Sequence, residues 1–221
     1  MTHLALINSL LFSPGDQLSR EEFLDLWEQM PDLKFAELID GTVYMPSPLS
    51  LEHGSRDAEV HGWAYCYQLK TPICKVVGNA TWLVLDSAPQ PDAALILLPA
   101  FGGRTSISGK LASGAPELVV EVCQSSRSYD LGPKLRLYQR AGINEYIAHL
   151  VNEQRTEWRI LENGSYRILK PDADGVLRSR VFPGLWLDAD AWWSGDLNRV
   201  QEVLEAGLKS HEHMEFLERF K

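Results

Sequence analysis

Two acidic residues stand where an acid is costly to place. Asp92 follows Pro91 at the head of the apolar run AALILL, and Glu121 interrupts the run LVVEVC. A carboxylate among such neighbours has to be hydrogen-bonded, paired with a cation or bound to a metal. Taken singly, each acid is accounted for by backbone donors or by an arginine such as Arg136 or Arg140. Taken together, on neighbouring strands of one sheet, they converge on one point. There they offer the oxygen ligands that a hard cation such as Mg2+ takes while keeping several waters. Lys134, on the helical stretch after Glu121, adds an ammonium to the same neighbourhood.

The elements that must carry these side chains are written in period and punctuation. Strands are expected at 81–85, 92–98 and 118–123, with the turn-rich stretch 86–91 between the first two. Asp130 is placed to cap a helix running to about Ala141, with Leu131, Leu135 and Tyr138 facing inward and Gly142 as its stop. Upstream, Ser19 and Glu22 form a capping box ahead of Phe23, Leu26, Trp27 and Met30 at helical spacing, and Pro31 ends that helix. Asp40-Gly41 between FAELI and TVYM marks a hairpin. A helix from Glu52 to about Leu69 turns Val60, Trp63, Ala64 and Tyr67 inward, with His53 on that face near its start. The Gly/Ser-rich stretch 99–116 reads as a loop. Strands follow at 145–151, 156–161 and 166–170, the last two around Asn163-Gly164, then a rigid loop and short strand in FPGLWL. A last helix spans 197–208, and the tail to Lys221 can continue it. The order gives an α+β, or mixed α/β, domain around one central sheet, expected over 1–196, with a helical extension over 197–221.

A chain of 221 residues, 45% hydrophobic and 23% charged, is an ordinary globular composition for one domain, or one domain with an extension. Disordered, collagen-like and coiled-coil classes are excluded, and no apolar run reaches the roughly 18–20 residues of a membrane span. The start lacks the basic segment and cleavage site of a signal peptide, and Cys66, Cys74 and Cys123 lack metal-site spacing. The expectation is a cytoplasmic protein with reduced thiols. The net charge of −9 opposes a nucleic-acid partner, but it is uneven: residues 1–60 carry 11 acids and 3 bases, whereas 104–140 carry 6 bases and 3 acids. Charge alone reads as a solvated acidic surface with one basic stretch.

The runs ELIDGTVYMPSPLSLEH, WLVLDSAPQPDAALI, GAPELVVEVCQSSRSYDLGPKLRLYQRAGINEYIAHLV and VFPGLWLD occur in this order. Together, over about residues 18–193, they resemble the restriction endonuclease family of the Uma-two nucleases, within the PD-(D/E)XK nuclease superfamily. The block from Gly114 to Gly142 is the most specific. The resemblance implies a restriction-endonuclease-like core, a central mixed sheet flanked by helices, with an N-terminal helix and hairpin and a C-terminal helix. It implies metal-dependent hydrolysis of phosphodiester bonds, with Asp92 as the motif aspartate, Glu121 as the motif glutamate and Lys134 as the lysine displaced onto the following helix. The superfamily's usual lysine position is Cys123 here. Glu37 and His53 match polar positions of the leading blocks and, with Gln124, are accessory candidates.

On that reading Asp92, Glu121 and the Val122 carbonyl hold Mg2+, for which Mn2+ can substitute. The ion lowers the pKa of a water and polarises the phosphate, and Lys134 stabilises the growing negative charge. DNA is the expected substrate, contacted by Arg127, Lys134, Arg136, Arg140 and the 104–110 loop through about four to six phosphates. A homodimer is expected, because cutting both strands of a duplex needs two single-metal centres.

Other motifs are weaker. Gly103, Gly109 and Lys110 imitate a phosphate-binding loop, but Leu111 replaces the required Ser or Thr. Cys123 lacks a nucleophile elbow and reads as a small buried hydrophobe. His211-Glu212-His213 reads as solvated tail, and the seven tryptophans as core. The rival function is a retired nuclease fold serving as a binding or assembly module, which the acidic surface and Cys123 favour. Retention of Asp92, Glu121 and Lys134 together favours the enzyme.

Overall fold

Ser19 opens the first helix as its sequence requires: its hydroxyl accepts from the Glu22 N–H at 3.2 Å, and Glu22 accepts from the Ser19 N–H at 2.9 Å. The computed structural model describes residues 11–45 and 50–220. In it α1 (Arg20–Glu28) is followed by the hairpin β1 (Glu37–Ile39) and β2 (Thr42–Tyr44). Asp40 and Gly41 both take positive φ at the turn, as a two-residue hairpin demands. Next comes α2 (Leu51–Lys70), with Ser50 as its N-cap.

Among the described residues the central sheet has six strands. They are β3 (Cys74–Gly78), β5 (Ala93–Leu97), β8 (Leu118–Cys123), β9 (Glu145–Leu150), β10 (Arg155–Glu162) and β11 (Ser165–Ile168), in the spatial order β11-β10-β9-β8-β5-β3. Only the β8–β9 pair is parallel, so the sheet is mixed. The crossover between those two strands is the helical stretch α3 (Arg127–Tyr129), a π-helical turn (Asp130–Lys134) and α4 (Leu135–Arg140).

Each face of the sheet has its own cover. On one, α2 packs Val60, Trp63, Ala64 and Tyr67 against Leu95, Leu118, Val120 and Val122. On the other, α4 packs Leu137 and Tyr138 against Ala94, Ile96, Val119 and Cys123. A small third cluster, with Phe12, Phe23, Leu38, Val43 and Ala88, seats α1 and the hairpin. The chain closes with β12 (Val176–Arg178), β13 (Trp186–Asp188), α5 (Ala189–Ser194), α6 (Leu197–Leu208) and α7 (His211–Glu218). Trp192, Val200, Leu204 and Phe216 from these elements join the α2 cluster.

Three local expectations change. The 99–116 stretch holds a hairpin, β6 (Ser106–Ser108) and β7 (Leu111–Ser113), which pairs with the two-residue β4 (Trp82–Leu83) in a separate small sheet. Asp130 does not cap a helix; it is buried inside one, because the helical stretch already begins at Arg127. His213 is buried rather than solvated, with Nε2 2.9 Å from the Thr71 hydroxyl. Among the described residues, no helix is long and apolar enough to cross a membrane.

Candidate active site

The register between β5 and β8 brings the two acids together. Ala93 lies opposite Val120 and Ala94 opposite Val119, so one further step sets Asp92 beside Glu121. Cross-strand neighbours share a face, and here it is the face of Val119 and Cys123, under α4. Asp92 Oδ2 accepts from the Val122 N–H at 2.7 Å. That N–H points past the last pair of the β5–β8 ladder, and the Val122 carbonyl leaves the strand on the same side.

Lys134 reaches the pair from the π-helical turn. Its Nζ lies 2.7 Å from Glu121 Oε1, 3.0 Å from Glu37 Oε1 and 4.0 Å from Asp130 Oδ1. The Tyr138 hydroxyl donates to the same Glu121 Oε1 at 2.8 Å. Among the described residues both donors to Glu121 therefore end on one oxygen, leaving Oε2 without one. On the other side, His53 Nε2 stands 3.9 Å from Asp92 Oδ1. Gln124 accepts from the Ser50 hydroxyl at 2.6 Å, which ties the end of β8 to the start of α2.

Three carboxylates, those of Glu37, Glu121 and Asp130, thus lie within 4.0 Å of one ammonium, and Asp92 is near enough to feel its charge. Burial pushes Asp92 up to about 6, against the pull of Lys134. Asp130 rises to about 6 for the same reason. Glu121, deeper still, is raised well above the ordinary glutamate value by burial. Burial works against the Lys134 ammonium, but Glu121 and Glu37 outweigh it and hold its pKa well above the usual lysine value. The surplus of buried negative charge, and a carboxylate oxygen with no donor, are what an oxygen-ligated divalent cation fits. Among the described residues no three His, Cys, Asp or Glu side chains form a ready-made ligand group. The chain's own donors here are two carboxylates and a strand carbonyl, a set suited to an ion that keeps its waters.

Asp130, Tyr129 and Tyr138 are members of this cluster that sequence reasoning did not single out. A readable signal existed: Asp130, Lys134 and Tyr138 recur every four residues, the spacing of one helical stripe. The expected basic contacts divide. Arg136 is exposed, whereas Arg127 pairs with Glu153 at 2.6 Å and Arg140 pairs with Asp40. Arg104 is exposed, but its guanidinium is already committed. It donates to the carbonyls of Gly142 (2.8 Å) and Pro116 (3.2 Å), to Asn144 Oδ1 (2.6 Å) and to Glu117 Oε1 (3.4 Å), and so clamps its loop to the sheet.

A family model described as Uma2, "Putative restriction endonuclease", matches residues 20–190. The fold is similar to that in the crystal structure of a putative nuclease belonging to DUF820 from Anabaena variabilis. That match has a TM-score of 0.56 and 18% sequence identity, covering 71% of this chain and 87% of the other. No curated protein matches the sequence.

Proposed function

The chain belongs to the Uma2 restriction endonuclease family, whose membership supports a nuclease, and from that premise we propose a divalent-metal-dependent enzyme hydrolysing phosphodiester bonds in DNA through Asp92, Glu121 and Lys134. One observation carries the reading: Asp92 and Glu121 face each other across β5 and β8 with the Lys134 ammonium 2.7 Å from Glu121. Mg2+ is the expected ion, with Mn2+ able to replace it. Asp92, Glu121 and the Val122 carbonyl would hold it, and when bound it supplies Lewis acidity and a water of lowered pKa.

The remaining steps belong to side chains. Lys134 keeps a full positive charge beside Glu121, where it stabilises the negative charge that grows on the phosphate oxygens as water adds. His53, 3.9 Å from Asp92 Oδ1, stands within one water's reach of the same point and can take or return a proton. Gln124, with its carbonyl oxygen held by Ser50, has amide N–H groups that no described residue accepts from, able to donate to a phosphate oxygen. Arg136, exposed on the same helical stretch, would steer the nucleic-acid backbone, while Arg127 and Arg140 beside it would contribute only by leaving their ion pairs with Glu153 and Asp40.

The test is cleavage of single-stranded, duplex and branched DNA with Mg2+ or Mn2+ by wild type, Asp92→Asn and Glu121→Gln. Cleavage should require the metal and vanish in both variants. Metal-dependent cleavage that survives both substitutions overturns the assignment.

A further inference from the structure

Lys134 has more partners than the proposed chemistry can leave with it. Its ammonium is held by Glu121 and by Glu37, and at this depth it cannot stand unpaired without a large cost. Glu121 is also the carboxylate on which a divalent ion would draw. Glu37 lies outside the Asp92–Glu121 pair and comes from β1, in a hairpin that is not part of the six-stranded sheet. Both of its oxygens are fixed: Oε2 accepts from the Tyr129 hydroxyl at 2.9 Å, and Oε1 accepts from the Gln90 N–H at 2.5 Å. Tyr129 is fixed in turn, its ring 4.2 Å from that of Tyr44 on β2 and 5.4 Å from Lys134 Nζ.

We propose that Glu37, seated by Tyr129 and the Gln90 amide, is the positioning residue for Lys134: it keeps the ammonium at the site when the Glu121 carboxylate turns to a divalent ion. The inference rests on the nuclease reading above. It makes the N-terminal hairpin a working part of the site, since Glu37 and Tyr44 together grip the turn that carries the lysine. The rival role is a third metal ligand, and the two differ in what the loss of Glu37 does to the lysine and to the ion.

The direct readout is the Lys134 ammonium signal in NMR, which is protected from solvent exchange only while the group is buried and held. Wild type should show it with and without saturating Mg2+. Glu37→Gln should show it in the metal-free protein and lose it when Mg2+ is added. Its persistence with Mg2+ in that variant overturns the proposal. Mn2+ affinity, measured by electron paramagnetic resonance, should stay within about twofold of wild type in Glu37→Gln. A loss of roughly 10-fold or more makes Glu37 a ligand instead.

In turnover, Glu37→Gln should lower kcat roughly 10–100-fold with KM little changed, and Glu37→Asp should recover part of the loss. In a Lys134→Met background, adding Glu37→Gln should cost less than about twofold, whereas an additive loss would mean Glu37 acts independently of the lysine. Should Glu37→Gln fail to fold, Tyr129→Phe removes only the hydroxyl and should mobilise the Lys134 signal with Mg2+ in the same direction; an unchanged signal there counts against the proposal. Asp92→Asn and Glu121→Gln report separately on the underlying reading. If both still bind Mn2+, the metal lies elsewhere, whatever Glu37 does.

Discussion

Lys134 and His149 are both ionisable groups taken wholly out of water, and their surroundings decide opposite outcomes. Lys134 stays charged because carboxylates lie at 2.7 and 3.0 Å, so its removal should cost the reaction and, by leaving those buried carboxylates unpaired, stability as well. Lys134→Met is expected to reduce kcat by about 10²–10³-fold in single-turnover assays at saturating Mg2+, the usual loss for one transition-state stabiliser. Cleavage at the wild-type rate would refute the displaced-lysine role. Among the described residues His149 has no ion-pair partner: its Nδ1 lies 3.0 Å from the Thr156 hydroxyl and its ring stacks on Trp192 at 4.9 Å. Burial, with the nearby Arg56 charge, pushes its pKa from 6.5 down to about 3. The unfolded chain takes a proton here below 6.5 and the folded chain does not, so this stability is complete above 6.5. It falls by about 1.4 kcal/mol per pH unit as the pH drops toward 3. Asp92 and Asp130 have the opposite sign: with folded values raised from 3.8 to about 6, their contribution is full below 3.8 and lost as pH rises through 6. The comparison of His149→Phe with wild type isolates the histidine. Urea midpoints at pH 7 and pH 5 should fall less in the variant, and an equal fall would disprove the assignment.

Among the elements, α6 shows a contact overruling propensity. Gly207 lies inside this helix, where Ala is normally better by about 1 kcal/mol. A Cβ there would sit 2.8 Å from Cγ of Trp186, the first residue of β13, and closer still to the carbonyl oxygen of Gly184 just before it. Gly184 itself has φ +85 and would meet the Gly207 oxygen at 2.7 Å. Overpacking of this kind costs about 1–3 kcal/mol, so Gly207→Ala should lower Tm by several degrees, with cleavage below the transition unchanged. A variant melting at or above wild type would show that α6 can shift freely. The same contrast explains what the sequence disclosed. The all-buried run of β8, the capping box of α1 and the period of α6 are local signals, and their bounds are legible to within a residue or two. The edge strand β3 and the three-residue strands β6 and β7 have no such period and exist through their neighbours. The π-helical turn also needs a distant partner: the Asp130 carbonyl accepts from the Leu135 N–H and from the Tyr146 hydroxyl at 3.1 Å, across from Pro133, which has no N–H. Asp92 and Glu121 stood out because acids are costly in apolar runs. Glu37 was marked only by the family resemblance, as an accessory candidate, and Tyr129 not at all, because their partnership depends on how a hairpin docks against a sheet.

For the whole molecule, the proposed substrate raises the question of how a chain of net charge −9 would approach a polyanion. The basic stretch 104–140 promises more than it delivers to solvent. Arg104 is committed to its loop clamp, Lys134 is buried in ion pairs, and Arg127 and Arg140 each face an acid. Among the described residues, Arg136 and Lys110 are exposed in this stretch without an ion-pair partner. About two or three phosphates are then neutralised rather than four to six, and log K against log salt should have a slope of about −2 to −3. Fluorescence anisotropy with the metal-free protein measures it. Arg136→Gln should make the slope shallower by about one, whereas Arg104→Gln should lower Tm instead of the slope. The acidic tail is tested by substitution, not deletion, because His213 and Phe216 of α7 are buried against the core. Glu215→Gln with Glu218→Gln removes two exposed negative charges and should leave binding as strong as before or stronger. A measured slope of −4 or steeper would mean that Arg127 and Arg140 leave Glu153 and Asp40 for the phosphates, so that nucleic acid opens these two ion pairs as it binds.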